Sequence, residues 1–360
     1  MILFGDIYRG QRVLVTGHTG FKGSWLALWL NQLGARVAGI SLDPDTSPNH
    51  FDLLGLNIDD YRLDIRLGDE VGNLVERIRP DMVFHLAAQP LVRRSYLDPL
   101  GNWSTNVMGT ANVLEACRKV ESVRSIVVIT TDKVYANQEW SRGYREDDRL
   151  GGYDPYSASK AACEILIDSY RKSFFAGSSS APLMASARAG NVVGGGDWSE
   201  DRLIPDLIRS VGANKPLFVR SPQATRPWQH VLECLAGYLL LGQRLSVTRH
   251  EYAEAWNFGP GVEDNRTVLE VLTLMQAHWP QLIWEQDNAP QPHEATLLYL
   301  DCAKAKDRLN WKPVWTLEKA LKATTDWYRQ FQEQGAVMSG KQLSEYVADA
   351  CTSEASWVQK

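Results

Sequence analysis

Cysteine is scarce in this 360-residue chain: the five present (Cys117, Cys163, Cys234, Cys302 and Cys351) are scattered, odd in number and never spaced C-x-x-C. That pattern argues against a disulfide framework and a zinc site, no other metal site is indicated, and the thiols read as the reduced cysteines of a cytoplasmic protein. Long apolar runs are missing too. No stretch approaches the roughly 20 residues a bilayer-crossing helix needs, and residues 1–10 carry acid and lack the continuous apolar core of a secretory leader. A cationic excess is also absent, with 38 Lys and Arg against 43 Asp and Glu and a formal net charge of −5. No general basic field is therefore available to hold nucleic acid or an anionic membrane. Internal repeats and linker-like segments are absent apart from the small-residue run 176–181, which reads as flexible.

What the chain has is an ordinary globular composition, 44% hydrophobic and 22% charged, enough for one large domain or two intimately joined ones. Its thirteen tryptophans fall within helical or strand patterns and are expected in the core or an interface. Up to about residue 190 short apolar strands near 13–17, 37–42, 82–86, 125–130 and 183–188 alternate with amphipathic helices, the pattern of a parallel sheet covered on both faces. The expected fold is α/β, a Rossmann-type doubly wound parallel sheet with a smaller C-terminal α/β substrate lobe. Residues 1–188 would form the dinucleotide-binding domain, with 228–258 returning to it through a helix at 231–241 and a strand at 256–258. Residues 189–227 and 259–335 would form the lobe, with helices at 268–279 and 317–331 and strands at 283–284 and 298–300. The tail 336–360 carries an amphipathic helix at 342–351 without a functional reading.

The pattern Gly17-His18-Thr19-Gly20-Phe21-Lys22-Gly23 sits between the apolar strand Val13-Leu14-Val15-Thr16 and a Trp/Leu-rich helical stretch. Such a strand–turn–helix cradles a pyrophosphate: Gly17 permits the tight turn, Gly20 lets backbone approach the phosphates, and Gly23 lets helix and strand pack closely. The helix N-terminus adds free N–H groups and a partial positive charge, so Gly17, Gly20, Phe21, Lys22 and Gly23 are candidate cofactor-binding residues. About twenty residues on, the second strand ends at Asp43. A carboxylate there accepts hydrogen bonds from an unphosphorylated ribose and repels a 2′-phosphate, which favours NAD over NADP.

Tyr156 and Lys160 lie one turn apart at the start of a helix introduced by Asp154-Pro155, so they share a face. A nearby ammonium stabilises phenolate, letting the tyrosine give or take a proton near neutral pH. The apolar strand 125–130 delivers Thr131, Asp132 and Lys133 at its carboxyl end, where open parallel sheets place their chemistry.

Together the glycine motif, Thr131 and Tyr156-x-x-x-Lys160 resemble the extended short-chain dehydrogenase/reductase superfamily of nucleotide-sugar enzymes over residues 8–330. Three longer segments, 15–25, 188–198 (Arg-Ala-Gly-Asn-Val-Val-Gly-Gly-Gly-Asp-Trp) and 226–231 (Arg-Pro-Trp-Gln-His-Val), are similar to the CDP-glucose 4,6-dehydratase group of that superfamily. The resemblance implies a redox cycle on CDP-glucose in deoxysugar biosynthesis: hydride passes from C4 to NAD, water leaves across C5–C6, and hydride returns to C6. Tyr156 would take the 4-hydroxyl proton, with Lys160 beside it, and Asp132 would protonate the leaving 6-hydroxyl. Related dTDP-glucose dehydratases carry Asp-Glu where this chain has Asp132-Lys133. Lys133 is then either the C5 base, the preferred reading, or an electrostatic support for the enolate. The resemblance further assigns Asp64 and Ile65 to the adenine, Ala87 to the dinucleotide channel, and Asn106, Asn191, Arg202, Arg226 and His293 to the substrate side. It also implies a homodimer or homotetramer built on helices near 107–119 and 157–172. A nucleotide-sugar 4-epimerase or reductase shares this fold and the Tyr-Lys pair, but has no use for the eliminating pair Asp132-Lys133. A non-catalytic NAD-binding scaffold would need none of the constellation.

Overall fold

The computed structural model describes residues 1–176, 181–247, 250–287 and 298–359. Seven strands form one parallel sheet: β1 (Arg12–Thr16), β2 (Arg36–Ser41), β3 (Asp59–Arg62), β4 (Met82–His85), β5 (Ser125–Ile129), β6 (Leu183–Ala189) and β7 (Ala255–Phe258). Their spatial order is β7-β6-β5-β4-β1-β2-β3. The chain starts in the middle, winds outward to β3, then crosses back to β4 and continues the other way. That reversal opens a crevice beyond the carboxyl ends of β1 and β4, where this architecture binds its ligands.

The helices follow from the sequence in the usual ways. The main ones are α1 (Phe21–Gln32), α2 (Gly68–Ile78), α3 (Gly109–Lys119), α4 (Pro155–Tyr170), α5 (Leu203–Gly212), α6 (Val231–Ser246), α7 (Val268–His278), α8 (Leu317–Gln334) and α9 (Ser339–Thr352). Helix α4 begins where Asp154 accepts from Ser157 N–H, with Pro155 at its first position. A reciprocal Thr267–Glu270 capping box starts α7, and Gly335 ends α8 in the left-handed conformation. No described helix is long and apolar enough to cross a membrane.

Strand β7 lies parallel to β6, so residues 256–258 return to the sheet as the pattern requires. Hydrophobicity gives no sign of strand β3. Its residues Asp59, Asp60, Tyr61 and Arg62 are polar and mostly exposed, which an edge strand tolerates. Outside the sheet, Trp284–Gln286 pairs in parallel with Leu217–Val219, and Thr225–Pro227 pairs antiparallel with Asn265–Thr267. The strand expected at 298–300 is reduced to a single bridge between Leu300 and Tyr144.

Three apolar layers hold these parts together. One sheet face packs α2, α3 and α4 through Val71, Leu74, Leu114, Cys117 and Ile167, and a separate layer joins α5, α7 and α8 through Leu207, Leu272, Met275 and Trp327. The opposite sheet face packs α1 and α6 and also takes in the tail, which is core rather than appendage. Phe4 stacks on Trp357 at 5.0 Å, Trp29 meets both Tyr346 and Trp357 edge-on, and Ile2–Leu3 pairs with Val358–Gln359. Trp357 is 2% exposed, so Trp357→Ala leaves a cavity beneath α1. We expect a loss of about 3–5 kcal/mol in a denaturant titration; a loss below about 1 kcal/mol would show that the tail adds little to this layer.

Candidate active site

The crevice is a continuous cleft of about 1720 Å³ running from the β1–α1 turn, past the ends of β4, β5 and β6, to the Leu217–Val219 strand. Its dinucleotide end is built from contacts only glycine permits. Gly17 has φ +76°, and a Cβ there would lie 2.7 Å from Ala87 N. A Cβ on Gly23 would lie 2.0 Å from the Gly17 carbonyl oxygen, whereas one on Gly20 would meet only that oxygen, at 3.4 Å. Gly17 and Gly23 therefore let turn, β4 and α1 touch, and Gly20 leaves backbone open to the cleft. No side chain caps the N-terminus of α1, so its N–H groups and partial charge face the same space. This cradle suits a dinucleotide's pyrophosphate. His18, given no part by the sequence, explains why the turn holds its place. Its buried ring bonds Asp60 on β3 at 2.8 Å and lies where a Cβ on Gly39 would come within 2.3 Å.

Asp43 lines the cleft just after β2, its carboxylate almost fully exposed and 3.6 Å from Arg62. Asp64, Ile65 and Ala87 also line it. The Arg66 guanidinium bonded to Asp64 holds that carboxyl below its ordinary range.

At the far side of the switch point the strand ends converge. Thr131 caps a short turn, donates to Asp132 Oδ1 at 2.9 Å, and accepts from Lys133 N–H at 3.3 Å. Asp132 is 2% exposed, and its Oδ2 is buried without a hydrogen-bond partner among the described residues. Gly190 keeps this side open, since a Cβ there would come within 3.0 Å of that oxygen. Burial pushes the Tyr156 phenol up to about 12, while its hydrogen bond with Thr131 and the charge of Arg202 pull the other way. The Lys160 ammonium donates to the Ile129 carbonyl at 3.0 Å rather than resting in solvent, and burial lowers its pKa. Lys22, half-buried in the turn, is lowered by burial as well.

Beyond Tyr156 the triple glycine 194–196 is wedged between large side chains. Gly195 would strike Trp327 with any side chain, Gly196 has φ +86° against His50, and Trp25 Nε1 donates to the Gly195 carbonyl at 2.9 Å. This turn delivers Asp197, which is buried and holds Arg202 at 3.0 Å on the cleft wall. Arg226 also lines the cleft, mostly buried, with one nitrogen donating to the Thr225 carbonyl at 2.8 Å, and Asn191 lines it just past β6. One expectation differs from the structure, and one falls outside it. Asn106 does not reach the cleft: it is fully buried, accepts from Gln89 N–H at 2.8 Å and donates to Ser159 Oγ at 2.9 Å, so it ties the β4 loop to α4. A helix-facing asparagine is pulled inward because only buried backbone and hydroxyl groups can satisfy its amide. His293 lies outside the described residues, as does most of the small-residue run 176–181.

With this geometry in place, residues 14–324 match the sequence profile of the family described as GDP-mannose 4,6 dehydratase. The chain belongs to that family. Members and relatives span several nucleotide-sugar activities. The chain is 44% identical over 351 residues to the CDP-glucose 4,6-dehydratase of Salmonella typhimurium (strain LT2), covering 95% of this chain and 98% of that one. It is 27% identical over 343 residues to a dTDP-glucose 4,6-dehydratase of Xanthomonas campestris pv. campestris, covering 88% and 92%. Among solved structures, Thermus thermophilus UDP-glucose 4-epimerase in complex with NAD superposes with a TM-score of 0.76 at 25% identity, covering 88% of this chain and 99% of that one. An epimerase thus shares this fold while dehydratases share the sequence, so the reaction must be read from the side chains at the strand ends. The turn offers a direct test. Gly23→Ala, whose methyl must push α1 from the turn, should lower the melting temperature and abolish measurable NAD binding by calorimetry while circular dichroism still shows the folded sheet; unchanged NAD affinity would remove the turn from the cofactor site.

Proposed function

We propose that this chain is a CDP-glucose 4,6-dehydratase, a hydro-lyase that uses NAD and returns it unchanged. The observation that carries the reading is Asp132, a buried carboxyl beside Tyr156 with one oxygen unpartnered in the cleft. Elimination of water needs an acid at that point, and epimerisation does not. The close identity to the Salmonella enzyme supports CDP-glucose as the substrate.

NAD, when bound, supplies the acceptor that takes hydrogen from C4 and gives it back at C6. Gly17, Gly20, Phe21, Lys22 and Gly23 hold its pyrophosphate, Asp43 its adenosine ribose, Asp64 and Ile65 its adenine, and Lys160 the ribose nearest the chemistry. Thr131 hydrogen-bonds the sugar's 4-oxygen, and Tyr156 removes the proton from it. Burial holds the phenol up at about 12 although Thr131 and Arg202 already pull it down, so this step depends on further positive charge that the bound ligands bring to the ring. Once C4 is a ketone, the C5 proton becomes acidic enough for a side-chain base. Lys133 takes that proton, and Asp132 gives one to the 6-hydroxyl, which leaves as water. As hydrogen returns to C6, Lys133 gives a solvent-exchanged proton back to C5; the Tyr156 phenol keeps the proton taken from the 4-oxygen until the 4-keto product departs, and it and Asp132 then reset with solvent. Asn191, Arg202 and Arg226 hold the substrate's pyrophosphate, with Asp197 fixing the angle of Arg202.

The deciding experiment incubates the protein with NAD and, separately, CDP-glucose, dTDP-glucose and GDP-mannose in heavy water, and weighs the products. CDP-glucose alone should give a product lighter by one water and deuterated at C5, and Lys133→Met should lose C5 exchange by about 10²–10⁴-fold. An unchanged mass with an altered sugar would mean epimerisation. Conversion of GDP-mannose instead would overturn the substrate, and C5 exchange retained in Lys133→Met would overturn the base.

We further propose that two copies associate through the helices near 107–119 and 157–172, and that the protein works in the cytoplasm with its five cysteines free. Met108 and Ile165 on these helices are exposed, and Leu97, Leu100 and Phe174 on the adjoining segments enlarge the apolar patch. Sedimentation should give at least twice the 40.4 kDa chain mass, falling to one chain in Leu100→Asp/Ile165→Asp; a monomeric wild type would sink the idea.

A further inference from the structure

The face of the sheet covered by α2, α3 and α4 is mostly apolar, though it also buries His85 between Thr16 and Thr110. In the middle of it Glu164, on α4, meets Arg188, on β6, at 2.9 Å, and both side chains are 3% exposed. A buried ion pair is weak evidence for stability, because apolar residues of similar volume often serve as well or better. Its use must lie elsewhere. Glu164 Oε1 accepts from Thr130 Oγ1, and Oε2 accepts from Ser186 Oγ at 2.7 Å as well as from Arg188. One helical turn earlier, Lys160 donates to the carbonyl of Ile129. Two side chains of α4 thus grip consecutive residues at the end of β5, immediately before Thr131, Asp132 and Lys133. Arg188 extends the grip: its other nitrogen donates to Tyr135 Oη at 2.8 Å, and Tyr135 donates to Asn257 on β7 at 2.7 Å.

We infer that Glu164, held by Arg188, is a positioning residue: it registers the helix bearing Tyr156 and Lys160 against the strand end bearing Thr131, Asp132 and Lys133, and it supplies the counter-charge for Lys160. The inference rests on the reading that Tyr156 and Lys160 are catalytic. The charged and titratable groups around Lys160 are few. Glu164 and Cys163 on α4 favour its ammonium, and Lys22 on α1 opposes it. His85 on β4 also lies close and is held neutral near pKa 3, by burial first and then by Lys160 itself. The Glu164 carboxyl stays below its ordinary range although burial would raise it, because Arg188, Thr130 and Ser186 together favour its anion. Arg171, just past the end of α4, is the remaining cation acting with Glu164. Glu164 is therefore the one carboxylate this cluster sets against Lys160. Replacing it with a neutral group removes that anion and leaves Arg188 uncompensated, and both changes disfavour the ammonium.

The test is Glu164→Gln in the full-length protein, with two pH profiles: NAD affinity by calorimetry and kcat on the accepted nucleotide sugar. The alkaline limb of both should move down by about one pH unit. The NAD profile does not depend on which sugar is turned over, so it still decides the matter if the proposed substrate is wrong. A lower melting temperature with both limbs unmoved would reduce Glu164 to a structural residue and overturn the proposal. Thr130→Val, which removes the registering hydroxyl without burying a new charge, covers the case in which Glu164→Gln does not fold. It should lower kcat about tenfold or more with KM and the limbs unchanged; an unchanged kcat would equally overturn the positioning role.

Discussion

Everything at this cleft depends on how closely the start of α1 can approach the turn after β1. A Cβ at Gly23 would sit 2.0 Å from the Gly17 carbonyl, so the contact exists only because hydrogen occupies that place. The approach aims the helix N-terminus across the switch point of the sheet, brings Ala87 against the turn, and fixes the distance from the phosphate cradle to the ends of β5 and β6. His18 and Asp60 then lock the turn to the sheet edge. One close contact sets the scale of the dinucleotide half, and the catalytic half is placed relative to it by the parallel register of β1, β4 and β5.

The catalytic half depends on the opposite kind of interaction. Here polar groups are taken out of water and made to satisfy one another: Thr131 with Asp132, Lys160 with a backbone carbonyl, Glu164 with Arg188 and two hydroxyls. Burial moves the pKa values of Tyr156 and Lys160 in opposite directions, the phenol up and the ammonium down. The protein alone therefore favours the uncharged phenol at Tyr156. Among the described residues Asp132 Oδ2 and Arg188 Nε are left without a partner in this cluster, and the carboxylate oxygen belongs to a residue on the cleft wall.

Much of this is legible in the sequence because it rests on local rules. The apolar strands, the glycine turn, the Asp154-Pro155 helix start and the one-turn spacing of Tyr156 and Lys160 all declare themselves within a few residues. Strand β3 is legible only from the place of Asp64 and Ile65, where a third strand delivers its end; its own residues are polar, so hydrophobicity does not mark it. What escapes depends on distant partners. Asn106 reads as a cleft residue, yet its amide is consumed by Gln89, Asn102 and Ser159, contacts that only the folded chain reveals. Glu164 is an ordinary helix acid until β6 places Arg188 opposite it. The parts of the triple-glycine turn come from four separate segments, so its motif is recognisable while its purpose, seating Asp197 beneath Arg202, is not.

The pairing of the first strand with the last has a consequence for how the molecule is made. The layer under α1 contains Phe4 and Trp29 from one end of the chain and Tyr346 and Trp357 from the other. During synthesis all seven strands of the sheet emerge well before residues 339–359. Until those arrive, the layer around α1 leaves the rings of Phe4 and Trp29 without their cover. The nascent protein therefore passes through a long interval in which it is shaped for its cofactor but still sticky on its back, and a dinucleotide bound in that interval would steady the sheet before its cover arrives.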